Sequence, residues 1–103
     1  MATNIKGVTG LTGRYASALF DLADENNVLD DVAKDLSFLQ ELIDESDDLS
    51  RMIKSPIISR DEQTRSMMAI LDKGNFNDLT KKFIGLISSN RRLFAVRGII
   101  DDY

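Results

Sequence analysis

The chain has 103 residues, which suits one domain large enough to bury a core without covalent staples. It has no cysteine and no histidine. That excludes disulfides, zinc thiolate sites and thiol chemistry, and it removes the commonest general base and transition-metal ligand. A formal charge of −4 lacks the basic footprint of a nucleic-acid binder and disfavours adhesion by charge to an anionic membrane.

Residues 1–10 mix Gly7 and Gly10 with Thr3 and Thr9 without periodicity and read as a flexible lead-in. They carry one lysine, Lys6, and no apolar core, so no secretory signal is visible. Nowhere does an apolar run approach the roughly 20 residues of a membrane span. The first helix is predicted from Leu11 or Thr12 to Glu25, with Asn26-Asn27 suiting its C-terminal turn. Wound at about 100° per residue, Gly13 to Glu25 separates cleanly into an apolar and a polar arc. The apolar arc is roughly 200° wide, whereas packing on one core needs only a little over about 100°. Its two halves are Leu19, Ala23, Ala16 and Phe20, and Leu11, Tyr15, Ala18 and Leu22. The second set forms an i, i+4, i+7, i+11 ridge with a small residue in its middle, which suits docking of another helix. Periodicity leaves two readings open, and it favours the one in which the bundle's own helices cover both halves.

A second helix is predicted from Val28 to Glu45, with Val28, Val32, Leu36, Leu39 and Ile43 buried and Phe38 off the stripe. A short third helix, Asp47 to Lys54, is stopped by Pro56, because the residue before proline is pushed out of the helical region. Ser59-Arg60-Asp61-Glu62 matches a capping box and starts a fourth helix that carries Met67, Met68, Ile70 and Leu71. Gly74 is expected to end it in the left-handed conformation. Asn77 can cap a fifth helix from Asp78 to about Ser89, whose apolar arc contains Leu79, Phe83, Ile84, Leu86 and Ile87. A sixth begins near Arg91 and carries Leu93, Val96, Ile99 and Ile100. Six helices with short links and no strand signal predict an all-α, compact six-helix bundle over residues 11–103.

The chemical motifs are weak. The glycines between Gly7 and Gly13 lack the Lys-Ser/Thr of a phosphate loop and the preceding strand of a dinucleotide site. Asp44 to Asp48 lacks the spacing and central glycine of a calcium loop. Arg91-Arg92 could hold an anion, but pairing with surface acids is the stronger reading. There is no tryptophan platform for bases and no desolvated carboxylate pair for acid–base work, so no catalytic, cofactor-binding or metal residue is assigned.

The run Gly13-Arg14-Tyr15-Ala16-x-Ala18-Leu19-Phe20-x-Leu22-Ala23 closely resembles the opening motif of the δ subunit of F-type ATP synthases. The mitochondrial counterpart of that subunit is the oligomycin-sensitivity-conferring protein. Ser55-Pro56-Ile57-Ile58-Ser59 resembles the family's link before helix four. Phe83-x-x-Leu86-Ile87-x-x-Asn90-x-Arg92-Leu93 resembles its helix-five-to-six segment. The resemblance covers Leu11 to Tyr103 and implies an N-terminal six-helix domain, with the family's second, C-terminal domain absent from this sequence. It implies a stator rather than an enzyme, one that holds the catalytic hexamer still during proton-driven ATP synthesis. In that family the groove between helices one and five receives the amphipathic N-terminal helix of an α subunit, and the C-terminal region contacts the peripheral-stalk b subunit. Carried over by position, the partner-binding residues are Tyr15, Ala18 and Leu22 with Leu79, Lys82 and Leu86. Lys82 departs from the apolar pattern, although its stem can lie on apolar surface. The implied location is peripheral, on the cytoplasmic side of the bacterial inner membrane, ahead of the mitochondrial matrix side. No cofactor, nucleic acid or membrane insertion is expected, and the domain alone is expected to be a monomer. The alternative is a small helical adaptor or signalling domain that binds another protein's amphipathic helix.

Overall fold

The computed structural model describes residues 10–103. Among them are six α-helices and no strand. The helices are α1 (Leu11–Glu25), α2 (Leu29–Glu45), α3 (Asp47–Lys54), α4 (Arg60–Lys73), α5 (Asp78–Ser89) and α6 (Val96–Asp102). A 3₁₀ turn at Leu93–Ala95 leads into α6. The expected lead-in lies outside the described residues apart from Gly10, which is the N-cap of α1. The Cα radius of gyration is 13.2 Å, the size of a single domain of about 100 residues.

Each helix contributes one stripe to a common core. Ala16, Leu19 and Ala23 come from α1, and Val32, Leu36, Leu39 and Ile43 from α2. The other helices add Ile53, Met67, Leu71, Ile84, Ile87 and Ile99. The closest pairings join α1 to α6 and α4 to α5, with α2 set against α3, α5 and α6. Side-chain caps mark three of the helix starts. Ser46, Ser59 and Asn77 accept, on their side-chain oxygens, the N–H groups of Leu49, Glu62 and Leu79 respectively.

The connections explain where the boundaries fall. Asn27 has φ 58°. Behind it the Val28 N–H returns to the Ala23 carbonyl at 2.8 Å, closing α1 with a left-handed cap. Val28 therefore precedes α2 and is half-buried instead of starting the helix. Gly74 is not left-handed, since its φ is −85° and the next residue, Asn75, carries φ 58°. Glycine suits position 74 for a different reason. A Cβ there would run into the Phe76 ring, 2.8 Å from its Cδ1. Arg91 is the third left-handed residue, and it delays the last helix beyond the expected start near 91. Its N–H donates to the Ser88 carbonyl at 3.0 Å, and that of Arg92 to Ile87 at 2.7 Å.

Two polar contacts fix the bundle's long-range register. Asp35 on α2 accepts from the Asn77 backbone N–H at 2.8 Å and from the Thr80 hydroxyl at 2.7 Å, so a carboxylate holds the N-terminus of α5. Buried Gln63 on α4 donates to the carbonyls of Met52 and Ser55 at the end of α3. Both contacts satisfy helix-end groups that lack intrahelical partners.

Candidate functional site

The first helix splits as its two half-arcs suggest, with one correction. Leu19, Ala23 and Ala16 are buried, but Phe20 is 44 % exposed and leans on the Tyr103 ring at a centroid distance of 5.7 Å. Ala16 and Leu19 already fill the interior on that side, so the larger ring at 20 stays at the margin beside α6. On the other half, Leu11 and Tyr15 are half-buried, Ala18 is exposed and Leu22 is 43 % exposed. The bundle's own helices therefore leave the outer part of the ridge open, against the reading favoured by periodicity.

The fifth helix has a matching edge. Phe83, Ile84 and Ile87 are buried, Leu79 is half-buried against the core, Lys82 is exposed and Leu86 is 52 % exposed. The two edges meet at Tyr15. Its ring packs edge-on against Phe83 with centroids 6.1 Å apart and planes at 77°, an arrangement favoured by the ring quadrupoles. The Asn90 side-chain amide donates to the Tyr15 hydroxyl at 3.4 Å. From this contact Ala18 and Leu22 lie one and two turns further along α1, while Leu79, Lys82 and Leu86 lie within about one turn of Phe83. Tyr15 and Phe83 thus form a floor between two partly exposed apolar edges.

Charge on the α5 edge is divided between neighbours. Lys81 sits 3.6 Å from Asp72 and 3.7 Å from Asp78. Lys82 makes no ion pair among the described residues and is the cation available at the edge. Away from these helices, burial first and the Asp30 carboxylate second push the Tyr103 phenol above its ordinary pKa. It donates to the Leu29 carbonyl at 3.2 Å.

Three contributors escape sequence reasoning. Phe83 counts as core by periodicity yet also floors the candidate groove. Asn90 reaches Tyr15 across 75 positions, a pairing with no local signal. Asp35 is a third, more remote participant, because it anchors the N-terminus that carries Leu79.

Among the described residues no group of acidic side chains is placed to hold a metal ion. Asp44, at the head of the acidic run, is bound instead by Arg97 at 2.6 Å. None of the helices is long and apolar enough to cross a membrane. The described residues thus form an all-α bundle whose first and fifth helices each leave apolar side chains partly exposed.

The family model described as ATP synthase delta (OSCP) subunit matches residues 11–103, and the chain belongs to that family. It is similar to ATP synthase subunit delta of Rhodospirillum centenum, with 50 % identity over 103 residues, all of this chain and 55 % of the relative. The subunit of the same name from Parvibaculum lavamentivorans is 47 % identical over 96 residues, covering 93 % of this chain and 50 % of the relative. That of Rhodospirillum rubrum is 42 % identical over 100 residues, covering 97 % and 54 %. The chain spans about half the length of these curated relatives.

Proposed function

We propose that this domain is a non-catalytic stator element of an F-type ATP synthase, and that the seam between α1 and α5 receives the amphipathic N-terminal helix of an α subunit. The observation that carries the reading is the pair of partly exposed apolar edges, Ala18 and Leu22 against Leu79 and Leu86, on either side of the Tyr15–Phe83 contact. Family membership supplies the complex, and the exposed edges supply the surface.

The physics suits the task. A stator contact must last through repeated torque, which calls for apolar burial in a fixed register. A ligand helix with anchors at i, i+3/i+4 and i+7 provides both. Ala18, small and exposed at the middle of the ridge, lets a backbone approach closely. Lys82 is exposed, and its stem can lie on the apolar surface while its ammonium reaches an acid on the ligand helix. The peripheral-stalk b subunit is the second proposed partner, reached through a region of the family outside this sequence. The assembled complex would place the domain peripherally on the cytoplasmic face of a bacterial inner membrane.

Ala18→Trp tests the groove directly. An indole in the middle of the ridge fills the seam from its exposed side, so the fold is retained. Calorimetry with an α-subunit N-terminal peptide is expected to show at least about tenfold weaker binding. Unchanged affinity in the folded variant would remove the groove assignment.

A further inference from the structure

Ile57 at 90 % and Phe94 at 57 % are the most exposed large apolar side chains among the described residues, and neither belongs to the α1–α5 seam. Phe94 lines a separate cleft of about 230 Å³ between the α3–α4 link and the 3₁₀ turn, and Ile57 follows directly on its lining residue Pro56. Ile53 and Leu93, both buried, form its floor, Pro56 and Phe94 its walls, and Lys54 and Arg91 its rim.

The charged lining residues, Lys54 and Arg91, are both cations. Gln63 also borders the cleft, but its amide N–H groups are occupied by the Met52 and Ser55 carbonyls. The ion pairs among the described residues engage Arg51, Lys81 and Arg97, and leave Lys54, Arg91 and Arg92 unpaired. In a chain of net charge −4, a cleft edged by unpaired cations is complementary to acid.

Arg91 adds an independent observation. The described residues hold three non-glycine residues in the left-handed region, and the other two are asparagines, which tolerate it. Position 91 closes α5 with the bond pattern for which glycine is the usual choice. The chain instead keeps a guanidinium there, at the mouth of the cleft. A non-glycine residue costs backbone strain in this conformation, a cost that a useful side chain can offset.

We propose that this cleft docks an acidic segment of a partner protein, with one apolar side chain seated between Pro56 and Phe94 and carboxylates over Lys54 and Arg91. A concave anchor site suits a side chain better than a lipid surface, and the chain's net charge opposes an anionic bilayer. This surface is separate from the α1–α5 seam and does not depend on the reading given for it.

The test uses the isotope-labelled chain and three probes: a glutamate-rich peptide with a central phenylalanine, its lysine-rich counterpart, and phosphatidylserine vesicles. The acidic peptide is expected to shift the amide resonances of Lys54, Ile57, Arg91 and Phe94. Phe94→Ala and Arg91→Gly should each weaken its binding at least about fivefold. Arg91→Gly relaxes the left-handed backbone, so its melting midpoint should not fall. Ala18→Trp should leave this binding unchanged, which separates the present surface from the groove. Absence of shifts, equal response to the basic peptide, shifts confined to α1 and α5, binding to vesicles alone, or full affinity in Arg91→Gly would each overturn the proposal.

Discussion

Leu19 and Leu22 stand three positions apart on α1, in clearly different environments. Leu19 is fully buried and Leu22 is 43 % exposed. Leu19→Ala removes a core side chain and leaves a cavity, so it should cost roughly 2–5 kcal/mol. At this chain length that lowers the melting midpoint by about 8 °C or more. Leu22→Ala gives up only partial burial and should cost less than about 1 kcal/mol. Thermal melts of the two variants check the pair, and a reversed order would mean that the two faces of α1 have been exchanged. The sequence made this division legible because Leu19, Ala23 and Ala16 follow helical spacing. It misplaced Phe20, because periodicity assigns a direction but not the distance to the next layer. Phe20 points correctly, yet it reaches the bundle's margin, where Tyr103 covers it in part.

At the scale of elements, boundaries written by local chemistry were readable and those set by distant contacts were not. Asn77 and Ser59 announce their helices through caps that lie within three residues of the N–H groups they accept. The approach of α6 to α1 has no such signal. A Cβ on Gly98 would lie 2.6 Å from Thr12 Cγ2 and 3.3 Å from Thr12 Cβ. The Thr12 hydroxyl is meanwhile held by Asp102 at 2.6 Å, so the threonine cannot rotate away freely. Two opposing magnitudes then decide the effect of Gly98→Ala. Helix propensity favours alanine by about 1 kcal/mol, and overpacking opposes it by about 1–3 kcal/mol. The expected outcome is a net loss in the natural background. Thr12→Ser deletes the obstructing methyl group while keeping the hydroxyl, and in that background Gly98→Ala should become neutral or stabilising. Urea denaturation of the four proteins in the cycle measures the coupling. Equal effects in both backgrounds would show that the α1–α6 approach does not require a glycine. The same logic explains Gly74, which the sequence suggests as a left-handed terminator and which instead makes room for the Phe76 ring.

For the molecule as a whole, the two exposed apolar regions differ in the physics that would hold a partner, and salt separates them. The α1–α5 seam is bordered by Ala18, Leu22, Leu79 and Leu86 with a single unpaired cation, Lys82. Its proposed binding rests on apolar burial, which moderate salt does not weaken. The cleft beside Phe94 combines apolar walls with the unpaired Lys54 and Arg91, both exposed. Exposed charge pairs lose strength as the Debye length contracts from about 10 Å at 0.1 M salt toward about 3 Å at 1 M. Over that range an α-subunit peptide should lose less than about threefold in affinity for the seam, because only Lys82 is sensitive to screening. The glutamate-rich peptide should lose at least about tenfold for the cleft, since two cations share its recognition. Calorimetric titrations of both peptides at the two salt concentrations make the comparison. If the two affinities fell in parallel, the seam's partner would be held mainly by charge, and the apolar edges on α1 and α5 would need another purpose. A cleft indifferent to salt would mean that Arg91 sits in its strained conformation for reasons unrelated to an acidic ligand.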